Sequence, residues 1–169
     1  TNAGLQWDTT TIDANEALGI YIYDENIAYV GGTGKIFKTT NKGASFTSYN
    51  TQSTPYWYDV SFPNENTGYV VSKYRVVDKT TDGGNTWVNI LPSSTQGYFT
   101  ISFINGSTGF IGGSSILKTT NGGTSWDTVQ TGIQSGYFCN KLRYINSKLY
   151  SLGSRYIEGL RRSVLLTSN

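Results

Sequence analysis

Apolar and polar positions alternate along this chain in short runs that return at a nearly constant interval. In each run an apolar or aromatic residue is followed two positions later by an aromatic: Tyr21 and Tyr23, Val60 and Phe62, Ile101 and Phe103, Leu142 and Tyr144. A second aromatic follows beyond a polar stretch, at Tyr29, Tyr69, Phe110 and Tyr150. Period-two alternation marks strands with one buried face. The intervening stretches DEN, PNENTG, INGSTG and INS suit hairpin turns, with Asn105-Gly106 fitting a tight one. No segment sustains a helical period. The third unit, for example, predicts strands near 98–104, 108–113, 115–120 and 125–130.

Each unit also carries a polar box: KTTNKGASF (Lys38 to Phe46), KTTDGGNTW (Lys79 to Trp87) and KTTNGGTSW (Lys118 to Trp126). Asn41, Asp82 and Asn121 mark the same place in each box, at almost equal steps. At the start of the chain, TNAGLQW puts Asn2, Gly4 and Trp7 in the same register. The closing SVLLTSN reaches the matching place at Asn169, so the last unit is the longest. Four units of roughly 40 residues, with four strands each, are the pattern of a β-propeller. The expected architecture is one all-β domain over 1–169, with repeats 13–50, 51–91, 92–130 and 131–169 plus 1–12, the N-terminal strand completing the last blade. Terminal sheet edges need cover, and three arrangements supply it. One chain closes as a four-bladed ring, two chains exchange strands in a homodimer, or the repeats belong to a larger propeller.

The box sits between a third and a fourth strand. Its Asp or Asn is placed to accept hydrogen bonds from amides two or three residues on. Gly43, Gly84 and Gly123 supply the positive backbone angle such a turn wants. Phe46, Trp87, Trp126 and Trp7 are placed to wedge between neighbouring blades, a burial that contributes about 2 kcal/mol each. These boxes resemble the Asp-box, or bacterial neuraminidase repeat, S/T-x-D-x-G-x-S/T-W. Thr80, Asp82, Gly84, Thr86 and Trp87 match it in full. The wider unit is most similar to the repeats of the photosystem II stability/assembly factor family, over essentially the whole chain. The resemblance implies a propeller whose boxes are structural and peripheral. Because sialidases, other glycosidases, receptors and assembly factors share such repeats, it implies a fold more than a ligand. Asn replaces Asp in three of the four boxes, which speaks against metal or acid–base work there.

Composition narrows the functions. Only 14% of residues are charged, and the net charge of +2 argues against nucleic acid. Surface polarity rests on hydroxyls and amides, which favours a secreted or periplasmic setting. The chain has no histidine, which excludes His-based metal sites, triads and proton shuttles. The single cysteine, Cys139, reads as a small buried apolar residue, and neither a metal nor a cofactor is expected. No apolar run is long enough for membrane insertion. Binding is expected on the loops opposite the boxes, where Trp57, Tyr74, Arg75, Tyr98, Tyr137, Arg155, Tyr156, Arg161 and Arg162 are the candidates. Three of the five arginines fall in the excursion 154–162. A mixture of basic and aromatic groups suits a protein partner or an anionic ligand. The reading is therefore a noncatalytic binding or scaffold module, with a glycan-binding lectin as the alternative. A sialidase-type glycosidase is the lesser alternative, since Asp59 is the only carboxylate on a confidently placed inner strand and glycoside hydrolysis uses two.

Overall fold

The computed structural model describes residues 7–51, 56–74, 76–91, 97–129, 137–157 and 160–168, with the side chains of 156 and 157 outside that description. The described residues are all-β. The first sheet holds β1 (Ala17–Ile22), β2 (Ala28–Gly32), β3 (Lys35–Thr39) and β4 (Thr47–Asn50). The second holds β5 (Trp57–Ser61), β6 (Gly68–Ser72), β7 (Val77–Thr80) and β8 (Val88–Asn89). The third holds β9 (Tyr98–Phe103), β10 (Gly109–Gly113), β11 (Ile116–Thr119) and β12 (Asp127–Thr128). The fourth holds β13 (Tyr137–Ile145), β14 (Lys148–Ile157) and β15 (Leu160–Thr167). Every sheet is an antiparallel meander in chain order.

Successive sheets pack face to face through their first strands, β1 on β5, β5 on β9 and β9 on β13. Strands β13 and β1 do not share such packing, so the four sheets form an arc whose inner wall is built from first strands. Polar links run along that wall. Asp59 accepts from the Thr100 hydroxyl at 2.7 Å, the Ile101 amide at 3.1 Å and the Lys141 ammonium at 2.9 Å. The Thr100 hydroxyl in turn accepts the Leu142 amide at 3.1 Å.

Between sheets the apolar contacts repeat. Tyr29 of the first sheet stacks on Phe62 of the second, with centroids 3.6 Å apart, and Trp87 meets Phe62 edge-on at 6.0 Å. Tyr69, Phe103 and Trp126 repeat this triplet one sheet later, at 3.7 and 6.1 Å. The ring of Phe62 lies over Gly68, where a Cβ would come within 2.3 Å of it, so the pairing needs a residue without a side chain opposite.

The structure corrects four expectations. Residues 7–12 form no strand, and the fourth sheet has three strands. The segment is tied to the first sheet instead: the Thr10 hydroxyl donates to the Gly43 carbonyl at 2.7 Å, and Asp13 pairs with Lys35 at 3.6 Å. Trp7 is 83% exposed and wedges between no sheets, while Asn2, Gly4 and Asn169 lie outside the described residues. In β1 the register differs by one from the sequence alignment. Tyr21 stands opposite Tyr29, where the second sheet has Ser61 opposite Tyr69. Ile20 and Ile22 therefore occupy the places of Val60 and Phe62, because the first unit has one residue fewer between its aromatics. Finally, 154–157 and 160–162 are no loose excursion; they are paired in a long β14–β15 ribbon, pinned at its other end by Asn146 and Ser147 with φ of 49° and 62°.

Candidate functional site

The three internal boxes close the β3–β4, β7–β8 and β11–β12 hairpins, all at one end of the sheets. In each, the threonine two positions before the Asx side chain accepts the amide of the box glycine: Gly84 to Thr80 at 2.9 Å, Gly43 to Thr39 and Gly123 to Thr119 at 3.0 Å. The Asx oxygen takes an amide four residues on, Thr86, Ser45 or Ser125, rather than two or three on. Positive φ at Gly43, Gly84 and Gly123 makes that reach available. Hydrogen bonds from Thr86 hold the Asp82 carboxyl down to about 2. All of this chemistry is spent on the hairpin itself.

At the opposite end, the β6–β7 turn carries Lys73 and Tyr74. The Lys73 ammonium lies 5.2 Å from the Tyr74 ring centroid, 5.7 Å from Tyr56 and 5.8 Å from Tyr58. Tyr56 and Tyr74 are tilted by 39° to one another with centroids 6.1 Å apart, and Phe99 meets Tyr58 edge-on at 5.8 Å. Lys73 and Tyr74 are exposed, and the other three rings are half-buried. Hydrogen bonding to Tyr58 raises the pKa of Lys73, so it stays charged at any physiological pH. This is an exposed cation framed by aromatic rings at cation–π distance.

Of the candidates whose side chains are described, only Tyr74 joins this cluster. Trp57, Tyr98 and Tyr137 are buried and belong to the core; the Trp57 indole donates to the Thr51 hydroxyl at 3.2 Å, and the Tyr137 hydroxyl pairs with Ser151 at 2.6 Å. Burial removes all three from any ligand. Sequence reasoning chose one residue too early: Tyr58 and Phe99 follow Trp57 and Tyr98 at irregular points in the β5 and β9 registers, and these neighbours reach the cluster. Arg155 and Arg162 stand opposite each other on one face of the ribbon, whereas Arg161 lies on the other face and donates to Ser154 at 3.0 Å, so the three do not converge. Arg75 and the Tyr156 side chain lie outside the described residues.

Cys139 is buried, and burial pushes its thiol up to about 11. The inner wall bounds a cavity of about 450 Å³ with Ser61, Ser102 and Arg143 on its lining, and Asp59 there is already engaged by Lys141. Among the described residues, no three His, Cys, Asp or Glu side chains group to hold a metal ion.

No curated protein matches the chain in sequence. Among solved structures, YCF48 bound to D1 peptide superposes with a TM-score of 0.67 at 20% identity, over 85% of this chain and 52% of that one. YCF48 from Cyanidioschyzon merolae gives 0.68 at 17% identity, over 94% and 59%. The GH74 enzyme of Niastella koreensis gives 0.69 at 22% identity, over 82% and 26%. The chain thus spans little more than half the length of the YCF48 chains, and at these identities the likeness shows a common fold. The family model of the photosynthesis system II assembly factor YCF48 matches residues 49–135, which is half of the sequence, on the same box-bearing repeats that build the second and third sheets. This protein is a propeller-type repeat protein and belongs to that YCF48 assembly-factor family.

Proposed function

We propose that this chain is a noncatalytic protein-binding module whose partner lies across the sheet ends opposite the boxes. The observation that carries this reading is Lys73 framed by Tyr56, Tyr58 and Tyr74, with the ammonium open to solvent. A peptide carboxylate set on Lys73 gains a charged hydrogen bond while its neighbouring residues stack on the rings. The family match and the related YCF48 structure with a D1 peptide support a protein ligand. Against catalysis, Asp59 is the one carboxylate on the described first strands, and its oxygens already accept from Lys141, Thr100 and Ile101. A surface rich in hydroxyls and amides favours a setting outside the cytosol.

The test is an array of peptides ending in free acidic C-termini, followed by titration of the best binder. Lys73→Ala and Tyr74→Ala are expected to weaken it about tenfold, while Lys148→Ala on the box end leaves it unchanged. Equal binding by all variants would dismiss this site. The exposed ring of Tyr74 also favours, as a second reading, a sugar stacked on its open face. A glycan-array signal lost in Tyr74→Ala would establish that instead.

A further inference from the structure

The turns between first and second strands repeat as closely as the boxes do. Asp24, Asn64 and Asn105 open them, and in each a side-chain oxygen accepts the amides two and three residues on, at 2.7 to 3.0 Å. The residues that follow differ: Glu25, Glu65 and Gly106. Only the third turn therefore joins an asparagine to a glycine, and both are exposed.

Three features of that turn assemble a reaction. The bond from the Ser107 amide to Oδ1 of Asn105, at 2.9 Å, folds the side chain back over the Gly106 nitrogen and brings Cγ towards it. Together with the Thr108 amide at 2.8 Å it also polarises the side-chain carbonyl, and the two amides face the negative charge that an attack on Cγ places on Oδ1. Among the described residues, neither the Gly106 N–H nor Nδ2 of Asn105 has a hydrogen-bond partner. Beyond its chain neighbours, a Cβ on Gly106 would meet only Nδ2 of Asn64, at 3.9 Å. Nucleophile, leaving group and approach are all free. The chain's other Asn-Gly pair, Asn121-Gly122 in the third box, is the opposite case. There the Gly122 N–H donates to the Ser107 carbonyl at 2.8 Å, Nδ2 of Asn121 donates to the Ser125 hydroxyl at 2.9 Å, and Gly122 is buried.

We infer that Asn105 is a site of spontaneous deamidation by its own backbone, and that the fold shields Asn121 from the same reaction. Hydroxide takes the Gly106 amide proton, and the nitrogen bonds to Cγ of Asn105 as the Cγ–Nδ2 bond breaks. Ammonia leaves with a proton from solvent. Water then opens the five-membered succinimide at either carbonyl, giving aspartate or isoaspartate. Aspartate fits the turn, since Asp24 already makes the same two bonds. Isoaspartate routes the main chain through the side chain and adds a methylene just ahead of Ser107, whose carbonyl holds Gly122. That product loosens the third box, so one exposed amide controls the ageing of a structural hairpin.

Peptide mapping by mass spectrometry after incubation at mildly alkaline pH tests this. Conversion at Asn105 is expected to run at least about tenfold faster than at Asn121, whose hydrogen bonds must open first. In guanidinium chloride the two rates are expected to converge, because the local sequence is Asn-Gly at both. Gly106 lies outside the left-handed region, so Gly106→Ala keeps the turn; it is expected to slow Asn105 and leave Asn121 unchanged. Asn105→Asp is expected to melt like the wild type, and the isoaspartate form, separated by chromatography, to melt lower. Equal rates in the folded protein, a difference that persists in denaturant, or an unchanged rate in Gly106→Ala would overturn the inference. An isoaspartate form as stable as the wild type would overturn its link to the box.

Discussion

Asp78 and Asp82, neighbours in the second unit, illustrate how much a carboxylate's surroundings decide. Asp82 is exposed and held below the ordinary range, at about 2, chiefly by the Thr86 hydroxyl and amide. Its contribution to stability is present above about pH 4, the ordinary value, and is lost as the pH falls from there towards 2. Asp78 in β7 is buried, receives Asn89 on one oxygen at 3.1 Å, and has no partner on the other. Burial raises its pKa above the usual value, against the opposing pull of Asn89. The sign is then reversed: stability is full below about pH 4 and falls as the pH rises through the group's folded pKa. Asp82→Asn is expected to lose less than about 1 kcal/mol at pH 7 and to flatten the melting profile between pH 4 and 2, since Asn41 and Asn121 hold the same turn. Asp78→Asn is expected to gain about 1 kcal/mol at pH 7 and nothing at pH 3. Thermal melts across that range check both.

At the level of strands and hairpins, the repeat was legible because three boxes and four aromatic pairs recur at nearly constant spacing. Strand pairing follows from alternation, and the box hairpins follow from Asx, glycine and threonine at fixed offsets. The alignment failed at β1, where one residue fewer in the turn moved the match from Ile22 to Tyr23, and in a strand a slip of one reverses the faces. The candidate site suffered in the same way. Trp57 and Tyr98 are conspicuous aromatics, yet an irregular register puts them inward and turns Tyr58 and Phe99 to the cluster. No sequence signal marks such a bulge. Lys73 carried no distinguishing pattern either, since only the turn brings it among three tyrosines. The glycines of the second strands were equally silent, although Gly68 and Gly109 each lie beneath a ring, with a Cβ 2.3 and 2.7 Å from it. Gly68→Ala is expected to lift Phe62 off Tyr29 and to cost about 2 kcal/mol by overpacking, seen as a lower denaturant midpoint and altered near-ultraviolet dichroism.

Across the whole molecule, sheets that touch only their neighbours behave as a linear array, each stabilised by the seams on either side. Asp59 breaks that rule. Its side chain, buried in β5, reaches past the third sheet to Lys141 in the fourth while also holding Thr100 and Ile101 between them. Removing the lysine leaves a buried carboxylate short of its counter-charge, so Lys141→Ala is expected to cost about 3 kcal/mol. The loss is expected to spread over β5, β9 and β13 in native-state hydrogen exchange while leaving β1 nearly unchanged. A single ammonium thus turns three independent links of a chain into one cooperative block. The first sheet, outside that block, becomes the segment that frays first when the molecule is warmed.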